Sequence, residues 1–142
     1  DLVPAARRAF AEHGLSDRAE IHGGDFTRDP LPQGADVVSL VRVLYDHGDA
    51  RALTILRAVH AALPPGGTLL VAEPMAGAPG APRMGDAYFG FYLLAMGSGR
   101  LRTPHELTHL MKQAGFCLIE HVPTQMPLHA QILVGRKSQC LP

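Results

Sequence analysis

Cysteine is scarce: the 142 residues hold two, Cys117 and Cys140, far apart in the chain. Two distant thiols make neither a metal-ligand pattern nor a disulfide framework, so a reducing, cytoplasmic setting is expected. Long apolar runs are missing. The longest, Thr68 to Met75, is far shorter than the roughly 20 residues that a transmembrane helix needs. No sign of charge dominates, since Lys+Arg and Asp+Glu both total 13. That balance argues against broad nucleic-acid binding, which needs a surplus of phosphate-neutralising cations. There is no internal repeat, no low-complexity segment and no secretory signal pattern. The chain begins at Asp1 without an initiator Met, which suggests a processed or incomplete chain. What is present suits one globular domain with one core: 46% hydrophobic and 18% charged residues, too apolar for disorder.

Helical and strand patterns alternate along the chain. Val3 to His13 reads as a helix stopped by Gly14. Ala19 to His22 is a short strand candidate, followed by a turn at Gly23-Gly24-Asp25. Val37 to Val43 and Thr68 to Ala72 are apolar runs without alternation, the pattern of strands buried on both faces. Between them Asp49 is placed to cap a helix with apolar residues at Leu53, Leu56, Ala58, Val59 and Leu63, ended by Pro64-Pro65-Gly66-Gly67. Asp86 to Met96 is an aromatic-rich helix. Thr103, Pro104 and Glu106 make a capped helix start, and that helix runs to Ala114. Phe116 to Val122 and Gln131 to Arg136 are the last strands, and 138–142 is a tail.

Alternating elements imply an α/β fold with a mostly parallel sheet, its last strand antiparallel because it closes a hairpin. Open α/β sheets bind ligands outside the carboxyl ends of their strands. Here those ends are Gly24-Asp25, Leu44 to Asp49, and Glu73-Pro74. Acids at such ends also serve as helix caps and loop solvation.

The strings Gly24-Asp25-Phe26, Gly34-Ala35-Asp36-Val37-Val38, Arg42-Val43-Leu44-Tyr45-Asp46-His47, and Pro65-Gly66-Gly67 through Glu73 together resemble the class I S-adenosylmethionine (SAM)-dependent O-methyltransferases. Gly99-Arg100-x-Arg102-Thr103 and Ala114-Gly115-Phe116 fit the same family. The segment 85–100 resembles its carotenoid branch, which methylates the tertiary hydroxyl of acyclic carotenoids. The resemblance implies a Rossmann-like sheet, incomplete at its N-terminus and missing the glycine-rich turn. Residues 1–137 then form the C-terminal part of the catalytic domain. It also implies SAM as cofactor and a small apolar hydroxylated substrate, with a phenol or polyketide as the other acceptor class. The parent protein is expected to be a cytoplasmic homodimer, paired through a missing N-terminal helical domain and able to approach the membrane peripherally. The isolated 142 residues are expected to bind SAM weakly or not at all.

Roles carried over by the resemblance begin with the cofactor. Asp1 matches the acid that accepts from both ribose hydroxyls. Gly24, Asp25 and Phe26 fall where the family holds adenine, the carboxylate taking the exocyclic amine and the ring packing on the base. Val41 and Arg42 lie near the cofactor at a strand end. Tyr45 stands where many relatives place a catalytic His. A phenol, with an ordinary pKa of about 10, is a poor base at neutral pH. Proximity and alignment could then carry the transfer, or His47 could reach the substrate hydroxyl. Tyr45 could equally be a pocket wall. Glu73 matches an acid that orients the His in relatives; here it could accept from the Tyr45 hydroxyl or from substrate. Leu101 replaces a second family acid, which suits an apolar substrate. Tyr88, Phe89, Tyr92 and Met96 could line a polyene channel or belong to ordinary core.

His105-Glu106-Leu107-Thr108-His109 spells the zincin pattern, with both His on one helical face. Its position at a Thr-Pro helix start, with the buried stripe at Leu107, Leu110, Met111 and Ala114, points both His to solvent. No metal is expected. A zinc hydrolase and a non-catalytic interaction module stand as the rival functions.

Overall fold

The computed structural model describes residues 2–77 and 82–138. Expectations placed on Asp1, Cys140 and the tail beyond Ser138 lie outside them. Helices α1 (Val3–Glu12), α2 (Asp49–Ala62), α3 (Pro82–Met96) and α4 (Pro104–Gln113) accompany strands β1 (Val37–Val41), β2 (Thr68–Glu73), β3 (Phe116–Val122) and β4 (Gln131–Lys137). A 3-10 turn covers Leu44–Asp46. The sheet order is β1-β2-β4-β3. β1 and β2 are parallel, with Val37 opposite Thr68 and Val41 opposite Ala72. β4 runs antiparallel to both of its neighbours, so β1, β2 and β3 share one direction and only the last strand opposes them. That is the expected sheet.

One layer carries the core. The spacing of Ala52, Ile55, Leu56 and Val59 turns a single face of α2 inward, and Leu107, Leu110 and Met111 do the same for α4. These pack with Leu69, Val71 and Leu133. Each fully buried Leu among them contributes roughly 2 kcal/mol of transfer free energy. Burial alternates along β2, so Glu73 falls in the buried row with Leu69 and Val71.

The expectation of strands buried on both faces is corrected. Val37, Ser39 and Val41 are exposed and Thr68, Leu70 and Ala72 are half-buried, because the core helices α2 and α4 pack on the other face. No strand forms at 19–22, because the segment pairs with no ladder among the described residues. The cap of α2 also differs. Gly48 is the N-cap and makes no side-chain bond, while Asp49 is the first helical residue. Its carboxylate is drawn instead to Arg100 and Arg102. Helix α4 has the predicted capping box between Thr103 and Glu106. On β3, the register shifts between Cys117 and Glu120, where Leu118 takes φ 46°.

Candidate active site

The carboxyl ends of β1 and β2 build the site. Glu73, last in β2 and buried, accepts from the amides of Leu44 (3.0 Å) and Tyr45 (3.2 Å) through one oxygen. Burial pushes its carboxyl up to about 7, against the pull of the Tyr45 amide, the Arg102 guanidinium and the Leu44 amide. The expected acceptance from the Tyr45 hydroxyl is therefore corrected. The carboxylate holds the backbone of the turn, and the hydroxyl is met by Arg42.

The opposite side of the same turn is held by Arg102, also buried. Its guanidinium donates to the carbonyls of Leu44 (3.0 Å) and His47 (2.7 Å) and to Asp49 Oδ1 (2.9 Å). The neighbouring segment follows. The Arg100 amide donates to the Tyr45 carbonyl at 2.8 Å, and the Ser98 hydroxyl to that of Asp46 at 3.2 Å. Gly99 permits this approach: it has φ 99°, and a Cβ there would lie 2.5 Å from the Tyr45 carbonyl oxygen. Asp46 Oδ1 is buried with no hydrogen-bond partner among the described residues.

Arg42 follows β1 in the left-handed region, at φ 55°, which is rare for a side-chain-bearing residue. Its guanidinium donates to the Tyr45 hydroxyl at 3.1 Å and lies 5.5 Å and 5.7 Å from the ring centroids of Tyr45 and Phe89. Tyr45 is 2% exposed. Burial pushes its hydroxyl above the ordinary value, against the pull of Arg42, so it stays protonated at neutral pH. Tyr92 stacks on Tyr45 at 5.9 Å, and Phe89 meets Tyr45 edge-on at 6.5 Å and Tyr88 edge-on at 5.0 Å. Beside this cluster lies a cavity of about 280 Å³ lined by Arg42, Gly85, Tyr88, Phe89, Leu128 and His129.

A second concavity, of about 170 Å³, is lined by residues 22–26 and 29–32. Asp25 accepts from the Thr27 hydroxyl (2.6 Å) and amide (2.9 Å), and these bonds hold its carboxyl below the usual range. Gly24 keeps the chain close to Asp29, whose carboxylate accepts from the Asp25 amide at 2.7 Å. Phe26 is 41% exposed, and its ring stands 5.9 Å from that of His47. Burial, with Arg51 nearby, pushes the His47 imidazole down. An accessible ring, a neutral imidazole and a carboxylate suit a nucleobase with an exocyclic amine.

The structure thus brings Arg42, Tyr45, Glu73, Tyr88, Phe89 and Tyr92 together. It sets His47 beside Phe26 instead. Val41 is exposed on the open face of β1, and Met96, also exposed, is not among the cavity's lining residues. Sequence reasoning missed Leu128 and His129, which no local pattern marks. It noted Arg102 within a motif but gave it no role. Of the zincin pattern, Glu106 is taken up by the capping box and by Arg100, while His109 pairs with Gln113 at 2.8 Å. Both His are exposed.

Comparison with known proteins adds the following. A family described as O-methyltransferase domain matches residues 1–117. The demethylspheroidene O-methyltransferase of Rhodobacter capsulatus is 46% identical over 123 residues, 87% of this chain and 31% of that protein. The aclacinomycin 10-hydroxylase of Streptomyces purpurascens is 44% identical over 114 residues, 80% of this chain and 30% of that protein. Among solved structures, an O-methyltransferase of neocarzinostatin biosynthesis, in complex with S-adenosyl-L-homocysteine and 1,4-dihydroxy-2-naphthoic acid, superposes with a TM-score of 0.77 at 34% identity. That match covers 96% of this chain and 39% of the other. The chain spans about a third of the length of the curated relatives it matches.

Proposed function

The chain belongs to the O-methyltransferase domain family, and on that premise we propose that the full protein transfers a methyl group from SAM to the hydroxyl of a small apolar molecule, specifically the tertiary hydroxyl of an acyclic carotenoid. The observation that carries this reading is the aromatic-walled cavity at Arg42, which follows β1, together with the Phe26–Asp25 concavity, whose Phe26 ring stands 5.9 Å from that of His47 in the segment after β1. Asp25, Phe26 and His47 would hold the adenine. The ribose acid expected at Asp1 lies outside the described residues. SAM supplies an activated methyl on its sulfonium, so the protein's task is chiefly alignment and exclusion of water.

The 280 Å³ cavity accommodates only the hydroxylated end of a long substrate. The polyene would then run over the exposed apolar side chains of α3, at Tyr88, Phe91, Tyr92 and Leu94. No described helix is long and apolar enough to cross a membrane, and this exposed face supports peripheral access to a substrate dissolved in lipid. A homodimer belongs to the same proposal and is tested by light scattering on the full protein.

The decisive experiment incubates the full protein with methyl-labelled SAM and either a hydroxylated acyclic carotenoid or a phenol. Label in a carotenoid methyl ether is the expected product. Label only in phenols overturns the acceptor assignment. An oxygenated but unmethylated product, as the hydroxylase relative's name suggests, overturns methyl transfer itself.

A further inference from the structure

A hydroxyl attacking a methyl donor becomes a protonated ether, a strong acid that needs an acceptor within hydrogen-bond reach. The expected acceptors are poorly placed for this. Tyr45 is buried behind Arg42 and keeps its proton. His47 stands at Phe26, on the nucleobase side. Glu73 is engaged with two backbone amides. Among the residues that line the Arg42 cavity, the side chains with titratable protons belong to Arg42, Tyr88 and His129. Guanidinium and phenol groups hold their protons at neutral pH, and an imidazole nitrogen accepts one.

The backbone around His129 is tied down by local hydrogen bonds. Its amide and that of Ala130 donate to the Met126 carbonyl at 3.0 Å and 3.2 Å, and the Thr124 hydroxyl donates to the Ala130 carbonyl at 2.7 Å. Next to it, Leu128 seats on α3 so closely that a Cβ on Gly85 would lie 2.4 Å from Leu128 Cδ1. The loop before β4 is thus pressed against the aromatic helix, with His129 among the residues that line the cavity.

We propose that His129 is the catalytic residue that takes the proton of the acceptor hydroxyl. This rests on the methyl-transfer reading above. The hydroxyl oxygen forms its bond to the methyl carbon as the S–C bond of the sulfonium breaks. The sulfur keeps that electron pair as a neutral sulfide, and the hydroxyl proton ends on a ring nitrogen of His129.

The test compares wild-type full-length protein with His129→Ala and His129→Gln. Expected are a kcat at least about 100-fold lower with KM changed by less than about threefold, loss of the acid limb of the kcat profile, and partial rescue of His129→Ala by added imidazole. Without methyl donor, the hydroxylated acceptor should shift the His129 ring-proton resonance in the wild type. A kcat within about threefold of wild type in both variants, or a resonance that the acceptor leaves unmoved, overturns the assignment while methyl transfer stands. A wild type that transfers no methyl to the alcohol overturns the function and this inference together.

Discussion

Glu73 and Arg102 grip one turn from opposite sides. The carboxylate takes the amides of Leu44 and Tyr45, and the guanidinium takes the carbonyls of Leu44 and His47. Both groups are buried, so the turn that carries Tyr45 is positioned by hydrogen bonds for which water does not compete.

Glu73 makes stability depend on pH. Its folded pKa, about 7, lies above the ordinary 4.5. Its contribution is therefore fully present below about 4.5 and is lost as pH rises through about 7, some 3 kcal/mol in all. Glu73→Gln keeps an amide-accepting oxygen and does not titrate. Urea midpoints between pH 4.5 and 8 should fall for the wild type relative to this variant; parallel curves would refute the coupling.

Gly99→Ala should destabilise the protein by at least about 2 kcal/mol more than Gly77→Ala. Both glycines have positive φ, but a Cβ at Gly77 meets nothing within 4 Å, whereas at Gly99 it meets the Tyr45 carbonyl. Denaturant midpoints of the two variants decide this.

Arg42 sits in the left-handed region, and its side chain contacts Tyr45 and Phe89. Arg42→Ala keeps the unfavourable backbone and loses the contacts to Tyr45 and Phe89, so it should be less stable than Arg42→Gly by about 1 kcal/mol. Both variants should weaken turnover of the apolar alcohol. Equal thermal stability of the two would show that the backbone bears no strain.

Glu106→Ala should lower stability by about 1 kcal/mol through loss of the capping box. His109→Ala should leave metal content and activity unchanged. Stoichiometric zinc in the purified protein that disappears on His109→Ala would revive the hydrolase reading.

Features set by local rules were legible in the sequence. The α2 and α4 stripes follow from helical periodicity, and the Thr103–Glu106 box from adjacent residues. What escaped is non-local. Asp49 looks like a cap until Arg100 and Arg102, some 50 positions away, claim its carboxylate. Glu73 was legible as an acid at a strand end but not as a backbone clamp. The segment 19–22 has strand chemistry yet lacks a ladder among the described residues. Nothing around Pro127-Leu128-His129 signals that tertiary packing brings this loop to Arg42.

The kink at Leu118 has a bearing on how copies of the protein meet. β3 is the outer strand beyond β4, and such a strand offers free amides and carbonyls to any passing chain. With Leu118 turned out of register, 74% exposed, that row is interrupted between Cys117 and Glu120. A second molecule cannot extend the sheet through this rim without a mismatch. A single contorted residue thus makes the hairpin edge a poorer template for strand-to-strand pairing.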